Sequence, residues 1–151
     1  MLPRVEYSVT VPVPAELAFR AFCSLDRLLH RGIYEQASWV EGKPWQVGSR
    51  LRYVVVAPVS ATISAVVTSF EPPRSVGLLN HALGVTVEQQ VTFTSGTKGK
   101  TLIRIIMDSV GKSPDLPEAV IQQALAFFTK DALDSVAVLC KQKGFGSSSR
   151  P

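Results

Sequence analysis

The chain has 151 residues, of which 46% are hydrophobic and 19% charged, and its 16 Lys and Arg against 12 Asp and Glu leave a net charge of +4. A chain this long buries roughly two thirds of its unfolded surface, enough for one core without staples, so a single domain over 1–143 is expected, followed by a flexible tail over 144–151. The composition excludes a disordered chain and a small disulfide scaffold, and no run reaches the ~18–20 apolar residues of a spanning helix.

Residues 4–11 alternate strictly, with Val5, Tyr7, Val9 and Val11 on one face and Arg4, Glu6, Ser8 and Thr10 on the other. That is the pattern of a half-buried strand. Pro12 and Pro14 end it, and Pro14 with Glu16 suits the first turn of a helix carrying Leu17, Ala18, Phe19, Ala21, Phe22 and Leu25 at helical spacing. A second short helix is expected over 24–31.

From residue 34 to 111 the period switches to two, punctuated by Gly42, Pro44, Gly48, Pro58, Pro72-Pro73, Gly84, Gly96 and Gly99. Six strands are read, over 35–41, 50–57, 60–70, 75–81, 85–94 and 100–110, and the short links between them favour an antiparallel meander. Apolar runs in 60–70 and 75–81 blur the alternation, as a bulge would. The pair Pro72-Pro73 is expected to make an extended corner, because neither residue can donate a ladder hydrogen bond.

Residues 116–143 form the longest helical pattern, with Pro117 and Glu118 at its start and Ile121, Leu125, Phe128, Ala132, Val136, Leu139 and Cys140 on one stripe. Lys141 and Lys143 suit its negative end and Gly144 its stop. At 1.5 Å per residue the helix is about 40 Å long, the one element able to cover an apolar sheet face. A curved sheet wrapped around one helix leaves a space between the two.

Cys23 and Cys140 lie far apart in apolar helical segments, which fits buried thiols and not a disulfide framework or a zinc cluster. The first residues lack the continuous apolar core of a signal peptide, so a cytoplasmic location is expected. The pI of about 9.3 raises the question of nucleic acid. Yet the densest basic group, Lys98, Lys100, Arg104 and Lys112, falls on a turn and strand without any recognition motif, and solvated surface charge is the better reading.

The order of elements, an α+β arrangement of strand, two short helices, six antiparallel strands and a long C-terminal helix, resembles the helix-grip fold. Several segments are similar to the SRPBCC superfamily, which includes START-related lipid-binding domains, birch-pollen-allergen-like proteins and the polyketide cyclase/dehydrase group. They are the opening strand with Val13 through Phe19, Trp39 through Val47-Gly48-Ser49-Arg50-Leu51, Phe70-Glu71-Pro72-Pro73-Arg74, and the final helix with Ala132-Leu133 near its middle. The resemblance spans residues 4 to about 142. It implies a seven-stranded curved antiparallel sheet gripping the last helix, with the first strand paired to the last, and a pocket between sheet and helix.

Alternation assigns the concave side. On 85–94 the inward set is Val85, Val87, Gln89, Val91 and Phe93; on 100–110 it is Ile103, Ile105 and Met107; on 50–57 it is Leu51, Tyr53 and Val55. Hairpin register through the turn at Gly84 puts Val76, Leu78 and Asn80 inward and leaves His81 at the turn, although a one-residue slip would exchange Asn80 and His81. The candidate ligand-binding residues are therefore Trp39, Tyr53, Val55, Leu78, Asn80, Val87, Gln89, Ile105, Met107, Leu125 and Phe128. Tyr53 and Gln89 equally fit polar groups satisfied within a filled core, and Phe127, Phe128 and Met107 fit core packing. Outside, Glu6, Arg104 and Glu88 are expected to form a surface ladder.

Catalytic signals are scarce. His30 and His81 have no Cys, Ser or Asp partner in sequence, the carboxylates fall on caps and surfaces, and no metal spacing, phosphate loop or nucleophile elbow is present. No cofactor and no metal are called for. The reading is a carrier or sensor of a small hydrophobic molecule such as a lipid, polyketide or aromatic metabolite, with no nucleic-acid or integral-membrane partner. The alternatives are a cyclase/dehydratase-like enzyme using shape and one polarising group, and a protein-interaction module of the chaperone-activator kind.

Overall fold

A computed structural model of the chain describes residues 2–28, 32–57 and 60–142. His30, Lys143, Gly144 and the tail over 144–151 lie outside the described residues.

The elements run β1 (Arg4–Val11), α1 (Ala15–Cys23), α2 (Leu25–Leu28), β2 (Tyr34–Glu41), β3 (Arg50–Val55), β4 (Ala61–Glu71), β5 (Ser75–Ala82), β6 (Val85–Ser95), β7 (Thr101–Lys112) and α3 (Glu118–Lys141), with one 3₁₀ turn at Thr97–Gly99. The seven strands make one antiparallel sheet in the order β1-β7-β6-β5-β4-β3-β2. From β2 to β7 consecutive strands pair, and the first strand pairs with the last, as expected.

Alternation decides the faces. On β6, Val87, Gln89, Val91 and Phe93 are buried while Glu88 and Gln90 are exposed, and on β7 the buried set includes Ile103, Ile105 and Met107. Register at the β5–β6 hairpin settles the one-residue question: Asn80 pairs with Val87 and is buried, whereas His81 pairs with Thr86 and faces out. The hairpin turn is Leu83-Gly84, with φ of 53° and 77°, between the paired Ala82 and Val85. Two successive positive φ values are the mark of the two-residue turn that matches strand twist.

A bulge between Val67 and Ser69 breaks the ladder of β4 against β5, in one of the two strands where the apolar runs obscured the alternation. It turns the hydroxyls of Thr68 and Ser69 toward Gly77, where an added Cβ would collide with both. A side chain at this buried strand position would make those hydroxyls shift. The β4–β5 connection is a tight turn, closed by Arg74 N–H donating to Glu71 O at 2.7 Å, and not the extended corner expected from the two prolines. Pro72-Pro73 is cis, and both prolines lie inside the turn that this hydrogen bond closes.

The 24 residues of α3 span about 36 Å. The helix packs mainly against β1, α1 and β7. Val5, Val11, Ile103 and Ile105 meet Leu133, Val136, Leu139 and other helix residues in the main core. The concave side of the remaining strands lacks that direct packing and stays uncovered.

On the convex side, Glu6 binds Arg104 at 3.4 Å and Arg4 at 3.8 Å, and Arg4 reaches Asp108 at 3.4 Å. Glu88 does not join Arg104 as expected, because the β6–β7 register sets it opposite Asp108. These exposed pairs are worth little. Lys98 and Lys112 stand at opposite ends of β7, so the basic group is no continuous patch.

Candidate functional site

The uncovered half of the concave face encloses a cavity of about 550 Å³ between β2–β7 and α3. Its sheet wall includes Leu51, Tyr53, Ile63, Leu78, Asn80, Val87, Gln89 and Met107; its helix wall includes Ile121, Ala124, Leu125, Phe128, Ala132 and Ser135. Among the described residues the lining contains no Asp, Glu, Lys, Arg or His.

The two ends differ. At one, Trp45 sits in the β2–β3 loop at φ 64°, its indole Nε1–H donating to Cys23 O at 3.2 Å. Its ring stacks on Phe70 at 6.0 Å and lies edge-on to Trp39 at 5.1 Å, while Phe19 and Phe22 pack against Phe93. Aromatic rings thus close that end. At the other end, Leu83 of the hairpin turn is 65% exposed, and Val120 and Phe127 of α3 are 53% and 42% exposed. All three line the cavity, so its rim carries apolar side chains out to solvent.

Polar groups inside the cavity are few and connected. The Tyr53 hydroxyl donates to Asn80 Oδ1 at 2.8 Å, and Asn80 Nδ2 donates to Gln89 Oε1 at 3.0 Å. The chain spans β3, β5 and β6, so Tyr53 must reach across β4. Ala65, which faces Leu51 on one side and Asn80 on the other, gives it room with a single methyl. Burial pushes the Tyr53 and Tyr34 hydroxyls well above the ordinary phenol range, with the Asp131 carboxylate adding to the effect at Tyr34. Both stay protonated at neutral pH. Cys23 is pushed up to about 12 and Cys140 to about 11 by burial alone, and both are free thiols.

No family model and no curated relative matches this chain in sequence. Solved structures do. Ara h 8.0201 superposes with a TM-score of 0.73 at 13% identity, covering 91% of this chain and 96% of its own. The Zhui aromatase/cyclase from a Streptomyces strain gives 0.74 at 18%, covering 93% and 94%. A START superfamily protein from Mycobacterium smegmatis gives 0.70 at 17%, covering 90% and 98%.

The chain has the helix-grip fold.

Within that helix-grip frame, eight of the residues picked out from sequence stand on the cavity wall: Tyr53, Leu78, Asn80, Val87, Gln89, Met107, Leu125 and Phe128. Three do not. Ile105 is fully buried where α3 lies directly on β7, between Tyr7 of β1 and Val91 of β6. Val55 is sealed beneath Ile33 and Ile63 in a small separate cluster. Trp39 packs behind Trp45, which takes the wall position in its place. Phe127, expected in the core, stands at the rim instead, one residue off the buried stripe of α3.

Sequence reading missed Trp45, Tyr34 and Ser135. Trp45 lies in a loop, where alternation has no force, and its only signal was an aromatic inside a Gly- and Pro-rich stretch. Ser135, 6% exposed, sits on the apolar stripe of α3 between Ala132 and Val136 and was masked by them. His81, the best acid/base offered by sequence, is exposed outside the cavity with Nδ1 2.9 Å from Thr86 Oγ1.

Proposed function

We propose that this protein binds a small hydrophobic molecule in the cavity between sheet and α3, as a carrier or sensor. The observation that carries the reading is the cavity itself, about 550 Å³ and walled by aliphatic and aromatic side chains with one short polar chain. Ligand pockets are typically of this size and this balance, apolar area holding the ligand and a few polar atoms orienting it.

The proposed ligand contacts are Tyr53, Leu78, Asn80, Val87, Gln89, Met107, Leu125 and Phe128, joined by Trp45 and Phe127. A START superfamily protein and an aromatase/cyclase among the structures with this fold agree with a hydrophobic occupant. A carrier is favoured over a cyclase because general acid–base work needs a titratable group within reach of the ligand. The described wall offers only the two phenols, both held protonated by burial.

Native mass spectrometry of the protein purified from its own host tests this reading. A stoichiometric small-molecule adduct that denaturation releases is the expected result. A bare protein mass, together with no binding to a panel of lipids and polyketides, overturns it.

A further inference from the structure

The hydrogen bonds of the cavity wall run from Tyr53 to Asn80 and from Asn80 to Gln89. Tyr53 lies against Tyr34, ring centroids 5.8 Å apart, and its O–H donates to Asn80 Oδ1. Asn80 holds Oδ1 toward Tyr53 and Nδ2 toward Gln89, and Nδ2 donates to Gln89 Oε1. What remains is Gln89 Nε2, with two N–H donors.

Gln89 is 7% exposed. Among the described residues Nε2 has no hydrogen-bond partner, yet the enclosed side-chain atoms left without one there comprise Ser109 Oγ alone. The Gln89 amide nitrogen therefore opens onto the cavity that its side chain lines. Two hydroxyls, of Tyr34 and Ser135, also line the cavity without a hydrogen bond among the described residues. A hydroxyl rotates and serves as donor or acceptor. The Gln89 amide, held from behind, presents donors only.

We infer that Gln89 selects, among apolar ligands, those that carry an uncharged oxygen acceptor such as a ketone or quinone carbonyl, which its Nε2–H group binds at mid-cavity. The inference rests on the proposed ligand-binding role of the cavity and goes further, to the chemistry of the occupant. A buried amide donor left unmatched is costly, whereas an acceptor placed on it recovers a hydrogen bond in low dielectric, so an isosteric hydrocarbon is disfavoured. A carboxylate is not the acceptor meant, since no described lining residue carries the cation to compensate its burial.

The test uses two tricyclic probes of one shape, fluorene and 9-fluorenone, measured by equilibrium dialysis against the full chain. The ratio of their dissociation constants is compared between wild type and variants, which cancels the difference in probe hydration. Gln89→Met is expected to lower the preference for the ketone about fivefold. Tyr53→Phe, which removes the hydroxyl that donates to Asn80 but keeps Gln89, is expected to lower it less. An unchanged ratio in Gln89→Met, or a larger loss in Tyr53→Phe, overturns the inference while leaving ligand binding intact. Failure of both probes to bind the wild type overturns the inference and leaves the proposed function to the native mass measurement.

A second measurement needs no variant. The infrared carbonyl stretch of 9-fluorenone bound to the wild type is expected below its frequency in an alkane solvent. A band at the alkane frequency overturns the inference.

Discussion

Asp131, midway along α3, accepts the backbone N–H of Ile33 at 3.5 Å, tying the helix to the chain just ahead of β2. The carboxylate also stands against Gly32, whose φ of 59° and lack of a Cβ permit the approach. Burial raises the Asp131 pKa above the usual carboxylate value, the Ile33 hydrogen bond lowers it by less, and Asp134 one turn on raises it further. Tyr34 of β2 is a titratable neighbour too, and burial holds it protonated at neutral pH.

A carboxyl whose folded pKa is raised binds protons more tightly folded than unfolded. Its ionisation therefore costs stability as pH rises from the unfolded pKa through the folded one. Asp131→Asn keeps an acceptor for Ile33 N–H and removes that cost. The variant is expected to have a higher Tm than wild type at pH 7, with the difference shrinking as pH falls toward about 4. Thermal melts of both proteins at four pH values check it; a lower Tm for the variant at pH 7 would mean that the hydrogen bond to the charged form outweighs burial.

Ser109 supplies a second prediction. It is 6% exposed, its N–H donates to Pro3 O at 2.9 Å, and its hydroxyl has no partner among the described residues. A buried hydroxyl left unsatisfied costs about 1–3 kcal/mol. Ser109→Ala removes the hydroxyl and keeps the backbone bond, so stabilisation by about 1 kcal/mol is expected, or about 2–4 °C in Tm for a chain of this size. Denaturant titration measures it, and destabilisation by Ser109→Ala would count against an orphaned hydroxyl.

How far the sequence disclosed this site follows from where periodicity governs. The strands, their order and the inward set on β6 were readable because a strand has only two faces, so Gln89 was placed on the cavity side from alternation; Asn80 was placed there only through the hairpin register, which left its exchange with His81 open. The hydrogen bonding of Asn80 to Gln89 and to Tyr53 was not readable, since it depends on twist bringing β3 over the small Ala65 toward β5. Ile105 was misplaced for a related reason: alternation tells that a residue faces inward, not whether α3 or empty space lies above it. Trp45 and Leu83 belong to loops, where position is set by tertiary packing and turn geometry. The bulge at Thr68 announced itself only as blurred alternation.

Filling the cavity separates its role in binding from any role in stability. Ala124 is a partly exposed residue of α3 on the cavity wall. Ala124→Phe projects a ring into existing space without displacing the packed core around Leu133 and Val136, so the change in Tm is expected to stay small or positive. Binding of 9-fluorenone should fall by more than tenfold, because volume and not a specific contact is lost. Wild-type affinity in a folded Ala124→Phe protein would place the occupied site elsewhere.

The rim offers the last prediction. Leu83 holds φ of 53° at the first turn position of the β5–β6 hairpin and exposes 65% of its surface beside the cavity entrance. A left-handed conformation is costly for a branched apolar residue and well tolerated by Asn, and Asn-Gly is the preferred pair for such a turn. Leu83→Asn is therefore expected to stabilise the protein by about 0.5–1 kcal/mol while stripping one apolar side chain from the rim. If that rim guides a hydrophobic ligand into the cavity, stopped-flow association of 9-fluorenone should slow in Leu83→Asn with the dissociation rate changed in proportion and the affinity held. A gain in stability without any change in either rate would reduce Leu83 to a tolerated flaw in the turn.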